Sequence, residues 1–367
     1  MHKKMQLSST AKSVLQLYNS LDFQGYSFGY TTPACGVLTF TTATAGFPEN
    51  LTDPSFEGQI LCVTYPQIGN YGAPAEVVID NICQSYESEN CHIRGLIVTD
   101  MSFDYSHWNA VCSLNDWLIE HKIPGIYGVD TRAITKVVRE SGSMLCQIIP
   151  DGFDPVPMTD PYSENLVERV SCKEVIRYAG PKGCKKVVLV DCGVKHNILR
   201  ILAGNGVEII RVPWNYDFNN DPATAGYDGL VISNGPGNPT FLKETVAHIK
   251  EAMAKGKPVL GVCMGNLLLA MAAGAKVVKL KSGHHTNQPV RMSGTQRCYT
   301  TSQNHSFAIA AGSLPEDWKV TYENLNDGTI EGIAHKSLPF QAIQFYPEAY
   351  GYEVDTAYIF ESFIKSL

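Results

Sequence analysis

The second half of the chain has a regular rhythm. From Lys185, continuous apolar runs alternate with runs whose apolar residues recur at helical spacing. "KKVVLVDCG" and "YDGLVISNG" are apolar at almost every position, as in parallel strands covered by helices on both faces. "HNILRILAGNG" and "FLKETVAHIKEAMAKG" are helix-like and end on glycine. "KPVLGVCMGNLLLAMAAGA" reads as strand, turn and helix in one stretch, and antiparallel-looking pieces follow before a last strand over Ala342–Phe345. This order predicts an α/β fold with a doubly wound domain over residues 185–367. The first half is built instead from short β-type runs broken by Gly and Pro, such as "GVLTFTTATAGFP" and "GQILCVTYPQIGNYG". It adds a helix at "SLNDWLIEHK", a strand at "IPGIYGVDTR" and a helix at "TRAITKVVRESG" closed by Gly142. A smaller mixed α/β domain over residues 1–155 is expected. The Pro-, Asp- and Gly-rich stretch 156–184 is expected to be the linker.

Composition narrows the function classes. The chain has 367 residues, 44% apolar and 18% charged, which fits two globular domains with real cores. Its formal net charge is −7 with no basic cluster, so nucleic acid is not an expected partner. No apolar run reaches the roughly 18 residues of a membrane span, so no membrane association is expected. The N-terminal "MHKKMQLSSTAKSVLQLYNS" lacks the apolar core of a secretory signal and the Arg-rich pattern of a transit peptide. Eleven cysteines, an odd number without C-x-x-C, point to a reducing compartment. No clustered metal ligands stand out, so neither a metal nor a cofactor is expected. The cytoplasm is the expected location, with the mitochondrial matrix, for a trimmed form, as the alternative.

"PVLGVCMGNLLLA" places Cys263 between Gly261 and Gly265, directly after a buried strand and before a helix. This G-x-C-x-G pattern is the thiol version of a nucleophile elbow. Small neighbours let strand and helix approach closely, and the helix N-terminus favours a thiolate. A buried cysteine in a tight turn is the plainer alternative, at about even odds for the motif alone. "SNGPGNP" sets Gly235 and Gly237 at the end of the neighbouring strand, where side-chain-free backbone can bring N–H groups to an oxyanion. "QAIQFYPEAYGY" runs a short strand into Pro347 and then Glu348, an ionisable group where α/β enzymes keep catalytic residues.

Taken in order, "SNGPGNP", "GVCMGNLLLAMAAGAK", "TSQNHSFA" and "QFYPEA" resemble a class I glutamine amidotransferase domain. "GFPENLTDPSFEGQI", "YPQIGNYG" and "YGVDTR" narrow the resemblance to the small subunit, or fused amino-terminal part, of carbamoyl phosphate synthetase, and "GNL" after the cysteine resembles the ammonia-dependent vertebrate type. The resemblance implies a nucleophile at Cys263, an orienting carboxylate at Glu348 and a base at position 346. It further implies ligand contacts from Ser55, on the other domain, and from Gly235, Gly237, Met264, Leu267, Asn304, Ser306 and Phe307. It implies a large synthetase subunit or synthetase domain as partner, no cofactor, and a place in pyrimidine, arginine or urea metabolism.

The site departs from that family. The family's "HPE" is here "YPE", so Tyr346 stands where histidine belongs. A phenol of pKa about 10 is already protonated near neutrality and takes no proton from a thiol. It has one polar atom where imidazole uses two nitrogens. The family's G-H-Q after the cysteine is here Gly265, Asn266, Leu267, and Leu267 offers no hydrogen bond to a substrate amide. Ser306 stands where the family favours Gly, Val37 where it has Glu and Thr41 where it has Asn. His284, His285, His305 and His335 match ordinary family histidines and none is expected to substitute as base. The leading expectation is a carbamoyl phosphate synthetase small-subunit-like protein unable to hydrolyse glutamine. The alternatives are a binding or structural protein holding another small molecule in the cleft, and a residual amidotransferase supplying ammonia. Since the sequence carries no ATP-grasp half, a separate large subunit is expected under the leading reading.

Overall fold

The computed structural model describes residues 11–43, 47, 49–285, 287–349 and 355–367. The first ten residues of the N-terminal segment, part of "GFPENL" and the end of "YPEAYGY" lie outside them. The chain forms two compact units. One is drawn from Met1–Pro48, Gly58–Ala75 and Ile93–Asp160, the other from Glu49–Glu57, Glu76–His92 and Pro161–Leu367.

In the first unit, among the described residues, seven strands close into a barrel. In spatial order these are Lys12–Leu17, Leu145–Pro150, Ala34–Thr41, Gln59–Val63, Gly95–Ile97, Pro124–Tyr127 and Asp22–Gly29. Leu15, Leu38, Ile60, Ile97, Ile126 and Ile148 fill its core, with Ile134 and Val138 of the helix Thr131–Ser141 packed in beside them. That helix starts on Asp130, whose carboxylate accepts the Ala133 N–H at 2.9 Å, and stops at Gly142 with φ 90°.

The second unit is the doubly wound domain. Its parallel strands lie in the order Glu208–Pro213, Lys186–Asp191, Gly229–Ile232, Val259–Val262, Phe340–Ile343, so the winding reverses beside Lys186–Asp191. Alternation along each strand feeds two cores. Val187 and Leu189 pack with the helices His196–Gly204 and Tyr358–Ser366. Val188 and Val190 pack with Lys243–Ala254 and Met264–Ala273. Both faces are covered, which is why these strands read as unbroken apolar runs. Antiparallel strands extend the sheet from Phe340–Ile343, beginning with Ile330–His335. The stretch 156–184 is more than a connection. Its Ile176–Tyr178 adds an antiparallel edge strand beside Glu208–Pro213, and its Tyr162, Leu166 and Val167 are buried.

Candidate active site

Cys263 ends the strand Val259–Val262 and caps the helix Met264–Ala273. Its φ of 53° and ψ of −100° are costly for any residue with a β-carbon. Two glycines make the turn possible. A β-carbon on Gly261 would lie 2.5 Å from the Gly265 carbonyl oxygen, and one on Gly265 would run into the carbonyl of Ile232. The turn is pinned by Cys263 N–H donating to Ile343 O (2.8 Å) and Gly265 N–H to Ser233 O (3.0 Å). This over-determination sustains the strain and holds Sγ at the carboxyl end of the sheet, near the reversal of the winding.

The sulfur sits in a hydrogen-bond chain with a fixed direction. Asn266 Nδ2 donates to Gln344 Oε1 at 2.7 Å, which turns the Gln344 amide so that its Nε2 faces Cys263 Sγ at 3.7 Å. The thiol in turn lies 3.8 Å from the Tyr346 hydroxyl. Tyr346 Oη donates to the backbone carbonyl of Asn304 at 3.2 Å. Each link hands its proton forward and the last acceptor is a carbonyl, which takes none. Asn266, read from sequence as a lost family residue, therefore has its own structural task.

The electrostatics agree. Burial pushes the Cys263 thiol up to about 12, and the hydrogen bond to Tyr346 recovers only part of that. At pH 7 this leaves on the order of one sulfur in 10⁵ ionised. Burial, reinforced by nearby Cys263 and Asp53, holds the Tyr346 phenol well above its usual range. Glu348 is fully buried, and neither of its carboxylate oxygens has a hydrogen-bond partner among the described residues. Burial pushes it up to about 7, with Lys195 opposing the rise.

Lys195 is the principal residue that sequence reasoning missed. Its Nζ lies 3.6 Å from Glu348 Oε1 and 4.5 Å above the Tyr346 ring. Burial disfavours its charge, but Glu348, Asp53 and Glu87 together raise its pKa. An ammonium thus answers the carboxylate that the family resemblance pairs with imidazole. Asp53, buried beside it, caps the turn Pro54–Phe56 by accepting the Ser55 N–H at 2.8 Å. Lys195 follows the strand Lys186–Asp191 at its carboxyl end, where position alone could have marked it.

The other expected residues divide into polar and apolar groups. Ser55 belongs to the same compact unit as Cys263, which corrects its assignment to the other domain. Asn234 Nδ2 donates to Ser55 Oγ (2.9 Å), and Asn304 Nδ2 to the Ser55 carbonyl (3.1 Å). Met264, Leu267 and Phe307 join one apolar cluster on the helix side of the sheet. Ser306 Oγ pairs with Tyr162 Oη at 3.4 Å. Gly235 lies against the Cys192 carbonyl, where a β-carbon has no room, and Gly237 turns the loop with φ 85°.

The neighbouring histidines are engaged elsewhere. His285 Nδ1 pairs with Asn304 Oδ1 at 3.0 Å, and burial pushes its pKa down to about 4. His305 is held by Gln303 Oε1 and the Phe307 carbonyl. His335 Nε2 pairs with Asp317 at 3.0 Å. His284 lies between Glu331 (3.0 Å) and Asp327 (2.9 Å). Burial disfavours its charge, but these carboxylates outweigh that and raise it to about 8. Its folded pKa thus exceeds the unfolded value near 6.5, so the stability it contributes is whole below about pH 6.5 and disappears as pH rises through about 8. Urea unfolding of the protein should lose roughly 2 kcal/mol more between pH 6 and 9 than that of His284→Gln. Equal pH slopes in the two would show that His284 is not charged in the fold.

The elbow after the parallel strand Val259–Val262 and the acid beyond the adjacent strand Phe340–Ile343 are those of a class I glutamine amidotransferase domain, and the chain matches that family over residues 188–366. Residues 15–148 match the carbamoyl-phosphate synthase small chain, CPSase domain. The chain belongs to the carbamoyl phosphate synthase small chain family. It is 43% identical to the carbamoyl phosphate synthase arginine-specific small chain of Neurospora crassa, over 94% of this chain and 77% of that one. It is 42% identical to human carbamoyl-phosphate synthase (ammonia), mitochondrial, over 98% of this chain but 24% of that protein. A third relative, the multifunctional protein CAD of Squalus acanthias, is 42% identical over 96% of this chain and 16% of its own length.

Proposed function

We propose that this protein is the small, amidotransferase-type component of a carbamoyl phosphate synthase and has lost glutamine hydrolysis. The observation that carries this reading is Tyr346, whose hydroxyl lies 3.8 Å from Cys263 Sγ and is spent on the Asn304 carbonyl. Glutamine hydrolysis needs a group that takes the thiol proton and returns one to departing ammonia. A phenol held above its ordinary range does neither. Lys195 on Glu348 strengthens the reading, since a charged ammonium has no lone pair with which to act as base. Leu267, in an apolar cluster, offers a substrate amide nothing to hold it. The human relative whose name carries ammonia supports a synthase supplied with free ammonia.

Under this reading the small chain serves a large synthetase subunit or domain as a folded partner, without generating its nitrogen. Purified protein given millimolar glutamine should release ammonia far below one per second, the low end of ordinary enzyme turnover. Turnover of one per second or more would overturn the loss. Co-purification with a large synthetase subunit is the expected result for the partner, and its absence from affinity-captured protein in the native host would refute that part.

A further inference from the structure

The antiparallel end of the second unit gathers a set of ligand-type side chains that the amidotransferase site does not use. The strands Val277–His285 and Asn304–Ile309 pair with His284 directly opposite His305, so both imidazoles leave the same face. Glu331 joins them from the strand Ile330–His335, and Gln303 from the residue before Asn304. His284, His305 and Glu331 offer ligand atoms that all lie within 4.8 Å of one another. They come from three separate strands, so no motif spacing announces them.

Donors and acceptors do not balance at their centre. His305 Nδ1 donates to the Phe307 carbonyl at 2.8 Å, so the ring proton sits on that nitrogen. Burial and the neighbouring His284 keep His305 neutral, which leaves a bare lone pair on Nε2. That lone pair faces Gln303 Oε1 at 2.9 Å, acceptor against acceptor. Turning the Gln303 amide over does not resolve the clash. Its Nε2 donates to Thr301 Oγ1 at 3.0 Å, and the Thr301 hydroxyl spends its own proton on the Gln288 carbonyl at 2.9 Å. His284 Nε2 donates to Asp327 Oδ2 at 2.9 Å, which leaves Nδ1 at 3.0 Å from both Gln303 Oε1 and Glu331 Oε1. Glu331 is fully buried. Its Oε1 receives only longer contacts from Thr329 (3.2 Å) and Asn324 (3.5 Å), and its Oε2 has no hydrogen-bond partner among the described residues. One proton on His284 Nδ1 is the most that hydrogen bonding brings to these converging acceptors. Such a centre suits a cation.

The spacing selects which cation. Tetrahedral ligands on zinc, with bonds of roughly 2.1 Å, stand about 3.4 Å apart. The ligand-to-ligand distances here are 2.9, 3.0, 3.0 and 4.0 Å. An ammonium ion held by four hydrogen bonds of about 2.9 Å would need its acceptors about 4.7 Å apart. Two imidazoles select against magnesium and calcium, which take oxygen ligands. The outer ring nitrogens are also held as those of metal-bound histidines are, one on a carboxylate and one on a backbone carbonyl.

We propose that His284 Nδ1, His305 Nε2, Gln303 Oε1 and Glu331 Oε1 form a closed four-coordinate site for zinc or a similar divalent transition metal. With no open position, its role is structural. The ion ties three strands together and with them Asn304, whose carbonyl receives the Tyr346 hydroxyl. Binding releases the proton that His284 Nδ1 carries in the metal-free protein. The exposed Asp327, beside His284, gives the ion its way in.

The test is titration of the full chain, stripped with a chelator, using Zn²⁺ in a calorimeter and Co²⁺ in a visible spectrometer. About one Zn²⁺ per chain should bind with a Kd below about 1 μM and raise the midpoint of thermal unfolding. Co²⁺ should give the visible bands of a tetrahedral site without the near-ultraviolet bands of a cobalt–thiolate bond, which separates this site from the eleven cysteines. Glu331→Gln and, separately, His305→Gln should weaken binding at least about 100-fold, more than the loss of an outer partner costs. His248→Ala, in a surface grouping with Asp217 and Glu251, should leave it unchanged. No Zn²⁺ binding by the unaltered chain, thiolate bands with Co²⁺, or affinity indifferent to Glu331→Gln and His305→Gln would overturn the proposal. The unaltered chain decides the matter through its stoichiometry and cobalt spectrum if either variant fails to fold.

Discussion

Replacing Asp191 by alanine should destabilise the second unit by about 3–5 kcal/mol, the range for breaking a buried ion pair from one side. The carboxylate is fully buried and carries five hydrogen bonds or ion-pair contacts from three segments. Arg211 reaches Oδ2 through Nε (2.8 Å) and Nη2 (2.7 Å). Cys172 N–H donates to the same oxygen, and Gly193 and Val194 N–H donate to Oδ1, each at 2.8 Å. Alanine leaves the Arg211 guanidinium, itself nearly buried, with only the longer contact to Glu89 at 3.8 Å and orphans three backbone donors. The change also frees the loop that delivers Lys195 to Glu348. Arg211→Met should cost less, since Asp191 keeps its three backbone N–H donors. The double variant should be more stable than the sum of the singles implies, by more than about 1 kcal/mol, in a urea-denaturation cycle. Additive losses would show that the pair is not coupled. Glu361→Ala, which breaks an exposed ion pair to Lys365, serves as control and should change stability by under about 0.5 kcal/mol.

Legibility in the sequence followed how local each feature was. The parallel strands and their helices were readable because burial on both faces leaves unbroken apolar runs, as at Val187–Val190. The elbow was readable because its causes, Gly261 and Gly265, sit within two residues of Cys263. The tyrosine beside the elbow, where the family resemblance places a histidine, was readable from one position, Tyr346. Lys195 was not, because only strand order brings it to Glu348, 153 positions along the chain. Gln344, and the structural task of Asn266, escaped notice for the same reason, since their bond joins two elements 78 positions apart. Ser55 was misplaced because its segment lies between barrel strands in sequence yet packs with the other unit. The edge strand Ile176–Tyr178 was hidden by the prolines and acids around so short an element.

Restoring histidine at position 346 should fail to restore an efficient glutaminase, and the reason lies in Leu267. Loss of a member of a nucleophile–base–orienter set typically costs on the order of 10⁴-fold or more. Tyr346→His sets an imidazole beside Cys263, the base that the proposed function finds wanting, and gives Glu348 a partner in competition with Lys195. It leaves Leu267 packed with Met264 and Phe307, where under the proposed function a substrate amide would need a hydrogen bond. An unmet hydrogen bond to a buried polar group costs about 1–3 kcal/mol, or roughly 5- to 150-fold in rate. The double variant Tyr346→His/Leu267→Gln should therefore exceed the single in kcat/KM for glutamine by about 10- to 100-fold. Most of the gain should appear in KM. A glutamine-mimicking electrophile should label Cys263 in the double variant and not in the original protein, and Cys263→Ser should abolish that labelling. Its rate should follow an ionisation near the ordinary imidazole value of about 6.5, which the original protein, its thiol held near 12, does not have. Full recovery from Tyr346→His alone would show that Leu267 is no obstacle and that the residue at position 346 by itself decides whether the site hydrolyses glutamine. No gain from either variant would place the loss elsewhere, in the lysine that now answers Glu348, and Lys195→Met on the double background would then have to release it.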